Sequence, residues 1–307
     1  MISQTRKKKI TDSVLKNQKE KIMKAIDISA TAYYDAGTEF NRLRTGIGRI
    51  EFERTKEILL ETLPKAPAVI YDIGGAYGEY AWWLTSLGYK VHLFDLSERN
   101  IGMSSLLAEE YEGLSLEAAE VCDAREVPRS DESCDAVLFM GPLYHITDHD
   151  ERIKAIKECL RLLKPGGILY TASLTPFSCL LHNITVYKPF AEEDEKNTWI
   201  EDPGFLNMIG RELEDGCHVN PGREVYSGIG SAHFHSAASL RAELAEGGFD
   251  ETEVHGIMGG AWLVHDLDLV WENEKSREAL MNTVRLLDGH EEILGLSGHL
   301  LGVSVKS

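Results

Sequence analysis

The sequence predicts an α/β fold in which a mostly parallel sheet carries helices on both faces. From residue 68 to residue 175, short apolar runs alternate with segments whose apolar residues recur with helical period. Helix and strand patterns return from residue 237 onward, after a stretch of weak periodicity. Consecutive parallel strands need a crossover, which is usually a helix. Regular alternation of strand and helix therefore indicates a parallel sheet.

The boundaries of the elements follow from periodicity and from the flanking residues. Ser97 is placed to cap one helix, and Asp148 and Glu151 have capping-box spacing at the start of another. Strands are predicted at 69–73, 90–95, 116–121, 135–140, 168–174, 251–257 and 299–305, and helices at 12–32, 50–63, 79–87, 97–111, 148–163, 237–246 and within 266–295.

Composition and charge narrow the functional classes. The formal net charge is −18, and it is unevenly distributed: residues 1–25 hold eight Lys/Arg and two Asp/Glu, so the rest of the chain is strongly acidic. Such a body repels phosphate backbones, which argues against a nucleic-acid partner. No apolar run is long enough to span a bilayer and no signal sequence is recognisable, so we expect a cytoplasmic protein without a membrane partner.

The five cysteines contain no C-x-x-C pair, and their number is odd. A disulfide framework or a thiolate zinc site is therefore not expected. The segment from His145 to His149 contains two histidines and Asp148 at spacings that suit a metal. Asp148 is better explained as a helix cap, so no metal site is predicted.

The segment Asp72-Ile73-Gly74-Gly75-Ala76-Tyr77-Gly78 follows a strand and opens a helix. Glycines let a backbone turn sharply and let a ligand approach its amides, so this segment predicts a nucleotide-type ligand at a strand end. The carboxylate of Asp72 disfavours a pyrophosphate and suits a cationic group.

Later strand ends add further acceptors and a recurring turn. Asp95 ends the second strand, where it can accept hydrogen bonds from ribose hydroxyls. Asp123 and Ala124 follow the third strand, where a side-chain acceptor can meet an adenine amino group. The sequence Leu163-Lys164-Pro165-Gly166-Gly167 turns a helix into the fifth strand.

This ordered set of motifs, together with Asp135-Ala136-Val137, resembles the class I S-adenosylmethionine (SAM) dependent methyltransferases and, within them, the UbiE-like small-molecule branch. The likeness covers most of residues 68–307. It implies a Rossmann-like, seven-stranded, mostly parallel sheet and SAM as cofactor, with S-adenosylhomocysteine (SAH) as product. The implied segments are an N-terminal helical extension or lid at 1–66, a SAM-binding core at 67–175, a substrate-cap insertion after the fifth strand at 176–236, and the remainder of the core at 237–307.

The resemblance also implies roles for individual residues. Asp72 would face the ammonium group of SAM, and the backbone from Gly74 through Gly75 to Gly78 would cradle its methionine part. The remaining predicted cofactor residues are Asp95 with Leu96 at the ribose, Asp123 at the adenine amino group with Ala124 beside the ring, and Met140 and Gly141 at the floor. Ala76 stands where the family usually has glycine. Tyr77 has two interpretations: a cation–π contact with the sulfonium, or packing.

Tyr144 and His145, just after the fourth strand, are the candidate catalytic residues. His145 is interpreted either as a base or substrate orienter, or as a structural residue that caps the next helix. In related enzymes an N-terminal segment closes over SAM, so Tyr34 and Arg49 are further candidates for contact with the cofactor or substrate. Possible pocket-lining residues of the insertion are His182, Tyr187, Trp199, Tyr226, His233 and His235.

The predicted function is therefore transfer of a methyl group from SAM to an oxygen, nitrogen or sulfur of a small-molecule acceptor, by a monomer or homodimer. A non-catalytic SAM-binding regulator is an alternative. An NAD(P)-dependent oxidoreductase is less well supported, because the residues from Gly74 to Glu79 do not meet the G-x-G-x-x-G pattern.

Overall fold

The computed structural model describes residues 41–187, 202–219 and 229–307. The predicted helix at 12–32 and the candidate residues Tyr34, Trp199 and Tyr226 lie outside the described residues, as does the side chain of Tyr187. Across the described residues, no helix combines the length and apolar character needed to cross a membrane.

Seven strands of the described chain form one sheet, and two short strands form another. The strands are β1 (Val69–Ile73), β2 (Lys90–Asp95), β3 (Ala118–Val121), β4 (Cys134–Phe139), β5 (Leu163–Leu174), β6 (Cys217–Val219), β7 (Ser231–His233), β8 (Thr252–His255) and β9 (His299–Val305). The large sheet has the order β3-β2-β1-β4-β5-β9-β8, in which only β9 runs antiparallel to its neighbours. The predicted fold is thereby confirmed. The strand order reverses between β1 and β4, where a crevice for ligands opens at the carboxyl ends of the strands.

The helices surround this sheet. They are α1 (Gly48–Thr62), α2 (Glu79–Ser86), α3 (Glu98–Ala108), α4 (Pro142–His145), α5 (His149–Leu162), α6 (Ser178–His182), α7 (Pro203–Asp215), α8 (Ala237–Glu246), α9 (Leu267–Glu272) and α10 (Glu274–Leu287). Short 3-10 turns occur at Arg42–Arg44, Ala261–Leu263 and Glu291–Leu296, and a π turn occurs at Asn183–Tyr187.

Alternate residues of the central strand β4 enter two different cores. Val137 and Phe139 pack in a cluster with Ile156 of α5, whereas Leu138 packs in a second cluster with Leu59 of α1. Successive side chains of a strand point to opposite faces, so the two clusters lie on opposite sides of the sheet. Burial of each large apolar side chain contributes about 1.5–3 kcal/mol, and these two layers fix the sheet rigidly beneath the crevice.

The predicted caps are present. Ser97 accepts a hydrogen bond from the amide of Asn100 at 3.2 Å, and Oδ1 of Asp148 accepts one from the amide of Glu151 at 3.1 Å. Each bond satisfies an amide that the helix itself leaves unpaired. The cap of α5 is therefore Asp148, and the capping role considered for His145 is wrong.

The fifth strand begins earlier than predicted. It starts at Leu163, opposite Cys134, and includes the turn sequence that was expected to precede it. The ladder continues through the turn because the amide of Gly166 donates to the carbonyl of Lys306 and the amide of Lys306 donates to the carbonyl of Gly167, at 2.8 and 2.9 Å. These two hydrogen bonds with Lys306 thus extend the strand into residues that the local sequence pattern assigns to a turn.

The insertion contains more regular structure than its weak periodicity predicted. The helix α7 is capped by Asp202, begins with Pro203 and ends at Gly216, which has a left-handed backbone. These are ordinary start and stop signals, and they mark this helix in the sequence. Its buried residues Phe205, Met208, Ile209 and Glu212 have helical spacing. The strands β6 and β7 pair antiparallel beside it.

A buried polar network attaches the end of the insertion to the core. Oγ of Ser173 lies 2.7 Å from Nδ1 of His235, and Nε2 of His235 lies 2.8 Å from Oε2 of Glu243. Glu243 also accepts hydrogen bonds from Arg152 at 2.6–3.1 Å. Both ring nitrogens of His235 are therefore engaged in the core, so the interpretation of His235 as a pocket-lining residue is wrong.

This network makes a stability prediction. Burial raises the pKa of Glu243, but hydrogen bonds from His235 and Arg152 outweigh it and lower the pKa to about 2. A lowered acid pKa gives stability that is present above the unfolded-state value and is lost as the pH falls. We expect Glu243→Gln to lower the free energy of unfolding by about 3 kcal/mol at pH 7 and by progressively less towards pH 3, as measured by urea denaturation.

The exposed Glu251, to which the same change is made in Glu251→Gln, is the matched control. Its variant should match the unsubstituted protein at both pH values. If Glu243→Gln destabilises the protein equally at pH 3 and pH 7, the charge of Glu243 is not the cause.

Candidate active site

The loop after β1 is fixed to the end of β2. The amides of Gly74 and Gly75 both donate to the carbonyl of Phe94, at 2.7 and 3.3 Å, and the amide of Ala76 donates to Oδ2 of Asp95 at 2.9 Å. The chain then enters α2 directly after Gly78. The loop backbone is consequently held open at the carboxyl ends of two adjacent strands.

Two glycines of this loop lie against groups that a side chain would displace. A Cβ atom on Gly74, whose φ is +73°, would lie 2.3 Å from the Pro142 ring, and one on Gly75 would lie 2.4 Å from the carboxylate of Asp72. The next residue, Ala76, adopts a φ of +51° although it carries a methyl group. The left-handed backbone at this position accounts physically for the glycine that is usual there in the family that the sequence resembles.

Asp72 is buried beneath this loop. Its Oδ2 atom has no hydrogen-bond partner among the described residues. Burial and the nearby charge of Asp95 raise the pKa of Asp72 to about 7, against the opposing effect of a backbone hydrogen bond from Ala81. An unsatisfied buried carboxylate oxygen is costly, and a cationic ligand group removes that cost. These features fit the ammonium end of SAM.

Asp95 organises the backbone at the end of β2. Besides the bond from Ala76, its Oδ1 accepts hydrogen bonds from the amide of Ser97 at 2.8 Å and from the Asn100 side chain at 3.1 Å. Asp95 is thus a structural anchor for the loop and for α3, and Leu96 beside it is half-buried. The predicted contacts of Asp95 and Leu96 with the ribose stay predictions.

Asp123 has a strong partner within its own loop. Nε and Nη2 of Arg125 lie 2.9 and 2.6 Å from its two carboxylate oxygens, and the amide of Arg125 donates to Oδ1 at 2.9 Å. Although burial raises the pKa of Asp123, these bonds lower it overall. Asp123 is therefore ionised and oriented, while its predicted bond to the adenine amino group, with Ala124 beside the ring, stays a prediction.

A cleft of about 530 Å³ lies where the strand order reverses. It brings together eight residues predicted from sequence: Asp72, Gly74, Gly75, Ala76, Tyr77, Met140, Gly141 and Tyr144. Predicted residues that do not line it are Arg49, Gly78, Asp95, Leu96, Asp123, Ala124 and His145. The loop after β1 and the turn after β4 form two adjoining walls of it, which lie against each other at Gly74 and Pro142.

Four lining residues were not predicted: Arg42, Leu43, Glu79 and Tyr80. Arg42 is held by Glu51 through two hydrogen bonds of 2.7 and 3.1 Å, and Glu79 is held by Arg44 through two of 2.7 and 2.9 Å. The positions of these residues in the sequence could have indicated that they line the cleft. Glu79 and Tyr80 follow Gly78 in the first turn of α2, which faces the loop. Arg42 and Arg44 form the basic pair that precedes the core.

Arg49 does not line the cleft, and its predicted contact with the cofactor or substrate stays a prediction. It lies in the first turn of α1, where its guanidinium bonds to Asp268 and lies 5.2 Å from the ring centroid of Trp271. Arg42 occupies the position near the cleft that was predicted for Arg49.

The structure confirms the packing interpretation of Tyr77. Its ring lines the cleft and packs in a cluster with Trp82 and Leu107, while its hydroxyl accepts a hydrogen bond from the amide of Asn41 at 2.7 Å. The bond joins the described start of the chain to the cofactor loop. A cation–π role for this ring stays a prediction.

Tyr144 and His145 follow the turn after β4. Tyr144 lines the cleft and packs against the insertion, whereas the His145 ring lies behind it with a centroid separation of 4.5 Å. Burial, followed by the charges of Arg42 and His218, lowers the pKa of His145 to about 3. A base with so low a pKa accepts protons poorly at neutral pH, so the position of His145 favours orientation over proton abstraction.

The other described histidines of the insertion also lie away from the cleft. Burial lowers the pKa of His182 and of His233 to about 4, with smaller contributions from His299 and His235 respectively. Neither ring is among the lining residues, and the predicted lining role is therefore not met by His182 or His233.

Part of the chain matches known proteins. Residues 71–171 match the family described as "Methyltransferase domain". Over 110 residues the chain is 31% identical to the tRNA (carboxymethyluridine(34)-5-O)-methyltransferase ALKBH8 of Mus musculus, covering 35% of this chain and 15% of that protein. It is also 31% identical over 105 residues to the ubiquinone biosynthesis O-methyltransferase of Caulobacter vibrioides, covering 34% of this chain and 40% of that one. Each match thus spans less than half of the curated relative.

Solved structures share the fold. A SAM-dependent methyltransferase from Methanosarcina mazei aligns with a TM-score of 0.50 at 20% identity, covering 81% of this chain and 94% of that one. A SAM-dependent methyltransferase from Thermotoga maritima aligns with a TM-score of 0.52 at 16% identity, covering 91% and 100%.

The fold is that of the class I SAM-dependent methyltransferases. Residues 71–171, which match the methyltransferase domain, lie within this fold, and SAM is the cofactor of the solved methyltransferases that share it. The buried carboxylate of Asp72 and the open loop above it are the parts of this domain that most directly fit that cofactor.

The pKa of Asp72 predicts how cofactor binding depends on pH. The ammonium group of SAH pairs with the ionised carboxylate, so affinity should fall as Asp72 becomes protonated. With a pKa of about 7, we expect the Kd for SAH to rise about tenfold between pH 8 and pH 6, by calorimetry. Asp72→Asn should bind about 10–100-fold more weakly at pH 8 and should lose this dependence. Asp131→Asn, in an exposed ion pair before β4, is the control. An unchanged pH dependence in Asp72→Asn would assign it to another group.

The cradle at Gly75 gives a second prediction. Gly75→Ala should weaken SAH binding by at least about tenfold, because its Cβ would lie 2.4 Å from the Asp72 carboxylate and displace it. Gly102→Ala is the matched control, since its Cβ would meet nothing within 4 Å. Equal SAH affinity in both variants, by calorimetry, would contradict the proposed position of the ligand.

Proposed function

We propose that this protein transfers the methyl group of SAM to an oxygen, nitrogen or sulfur atom of a small-molecule acceptor. The observation that carries this proposal is the cleft between the loop after β1 and the turn after β4. It places Asp72 on one wall and Tyr144 on the other. Methyl transfer is an in-line displacement, so the protein has to align the acceptor atom with the methyl group and exclude water.

On the cofactor wall, the residues act by orientation and charge. The carboxylate of Asp72 would hold the ammonium group, and the loop amides fixed by Phe94 and Asp95 would keep the methionine part in place. SAM supplies an electrophilic methyl group on a sulfonium. The buried environment strengthens the pairing between charges at this wall, because water screens it little.

On the acceptor wall, Tyr144 provides ring surface. Tyr80 and Arg42 also line the cleft, and Glu51 already balances the charge of Arg42. Arg42 therefore offers hydrogen-bonding groups without a large net field. The insertion packs against Tyr144 through Phe205, Cys179 and their neighbours, which supports its role as a cover for a small acceptor. The acidic balance of residues 26–307 also favours such an acceptor over a polyanion.

A tRNA acceptor is the second candidate. It is favoured by the names of relatives such as ALKBH8, although that likeness covers 35% of this chain. A SAM-binding regulator without transferase activity is the third.

One experiment separates these functions. The protein is incubated with methyl-tritiated SAM together with a small-metabolite extract or, separately, with total tRNA. We expect label in the metabolite fraction and none in tRNA, and Asp72→Asn should abolish the signal. Label in tRNA would overturn the small-molecule acceptor. SAH binding without transfer to either fraction would favour a regulator.

His145 allows a test of its role in turnover. Since its pKa is about 3, the ring is uncharged from pH 5 to pH 9, and a neutral side chain with hydrogen-bonding groups should substitute for it. We expect His145→Gln to keep kcat within about fivefold and to preserve the pH profile, with a larger loss in His145→Ala. A general base contributes about 10²–10⁴-fold. A loss of that size in His145→Gln, with normal SAH affinity, would establish proton abstraction instead.

A further inference from the structure

Three metal-binding side chains meet inside the insertion, away from the residues that line the cleft. Cys179 of α6, Glu212 of α7 and His218 of β6 come from three separate elements, and all three are buried. Sγ of Cys179 lies 3.8 Å from Nδ1 of His218, and Oε1 of Glu212 lies 2.6 Å from the same nitrogen. The three donor atoms lie within 4.8 Å of one another.

The contacts of His218 require a proton or a cation between its Nδ1 atom and the Glu212 carboxylate. Nε2 of His218 lies 3.2 Å from the carbonyl of Ile229, which only accepts, so Nε2 carries a proton. A neutral imidazole then presents a lone pair at Nδ1 towards the Glu212 carboxylate. Two acceptors do not approach to 2.6 Å without a proton or a cation between them.

A proton alone leaves part of the cluster unsatisfied. Oε2 of Glu212 is buried and has no hydrogen-bond partner among the described residues. A buried ion pair offsets its desolvation only when the remaining lone pairs are also satisfied. A divalent cation compensates the carboxylate as a whole and also accepts a thiolate, so it accounts for the donors together.

We propose that Cys179, Glu212 and His218 bind a Zn²⁺ ion that fixes α6, α7 and β6 to one another. Thiolate, imidazole nitrogen and carboxylate oxygen are all ligands that zinc takes, and in a site with three protein ligands a water completes the tetrahedron. Ligand distances of about 2.3 Å for sulfur and 2.0–2.1 Å for nitrogen give a tetrahedral S–N separation close to the 3.8 Å observed. The Glu212 oxygen now lies 2.6 Å from Nδ1, and it has to withdraw to about 3.4 Å to admit the ion.

The outer contacts of the site agree with this assignment. A histidine that ligates a metal usually donates its other N–H to a carbonyl or carboxylate, as His218 does to Ile229. Cys179 also packs in the same apolar cluster as Tyr144, which lines the cleft. The zinc would therefore stabilise the wall behind the candidate acceptor site. This site is not recognisable from the sequence, because its donors lack the short paired spacing of common zinc motifs.

A second group of possible ligands, His233, His235 and Glu243, does not carry the same inference. Its acid already accepts hydrogen bonds from Arg152, and both nitrogens of His235 are engaged by Ser173 and Glu243. The positive charge of Arg152 already compensates the Glu243 carboxylate, so that group does not require a metal cation.

The test uses the full chain, freed of any histidine tag and treated with a chelator. On addition of Zn²⁺ we expect one bound ion per chain by mass spectrometry of the metal, together with a rise in Tm. Co²⁺ should give the charge-transfer absorption of a thiolate ligand. Cys179→Ser and His218→Ala should lose the ion, whereas Cys217→Ser, at the nearby half-buried cysteine, should keep it.

SAH binding provides the check that each protein is folded, and it reports on the cofactor wall independently of the metal. If the unsubstituted protein binds SAH but binds no zinc and shows no rise in Tm, the site is a hydrogen-bonded Glu–His pair and the proposal is overturned. Zinc that remains in both Cys179→Ser and His218→Ala would place the ion elsewhere and would also overturn it. If the variants fail to fold, the metal content, Tm shift and cobalt spectrum of the unsubstituted protein still decide the question.

Discussion

The buried carboxylate of Asp72 is the constraint on which the rest of the cleft depends. Its pKa is raised because water is excluded and because Asp95 is near, and its Oδ2 atom has no hydrogen-bond partner among the described residues. Gly75 has no side chain because that carboxylate occupies the space where a Cβ would lie. The loop above it is then held open by Phe94 and Asp95 rather than by contacts of its own. The burial of Asp72, the shape of the loop after β1 and the positive charge of the ligand that fits them therefore depend on one another.

The segment just before α1 completes this arrangement through paired charges. Arg42 and Arg44 are each held by a carboxylate, Glu51 and Glu79 respectively, and the amide of Asn41 bonds to Tyr77. These contacts attach the described start of the chain to the cofactor loop. Such pairing orients the guanidinium groups beside the cleft, and it limits the net charge that an acceptor meets there.

Two kinds of contact attach the insertion to the core, apolar packing and buried polar groups. Its apolar residues pack behind Tyr144, while buried polar groups specify where its elements lie. At one place, Arg152 supplies the positive charge that Glu243 requires. At the other, Glu212 and His218 face each other beside Cys179. The charge of the first group is compensated by the protein itself, whereas the donors of the second group would be satisfied by a cation.

The sequence by itself determined the sheet, its helices and most of the cofactor wall. Apolar periodicity locates strands, and parallel strands bring their carboxyl ends to one edge, so Asp72, Gly141 and the loop glycines meet whatever their separation along the chain. Only the tertiary structure decided that Arg42 rather than Arg49 lines the cleft, that His235 belongs to a core network, and that Cys179 meets His218. Those pairings depend on how elements distant in sequence pack, and local periodicity does not encode the partner that a buried polar side chain finds.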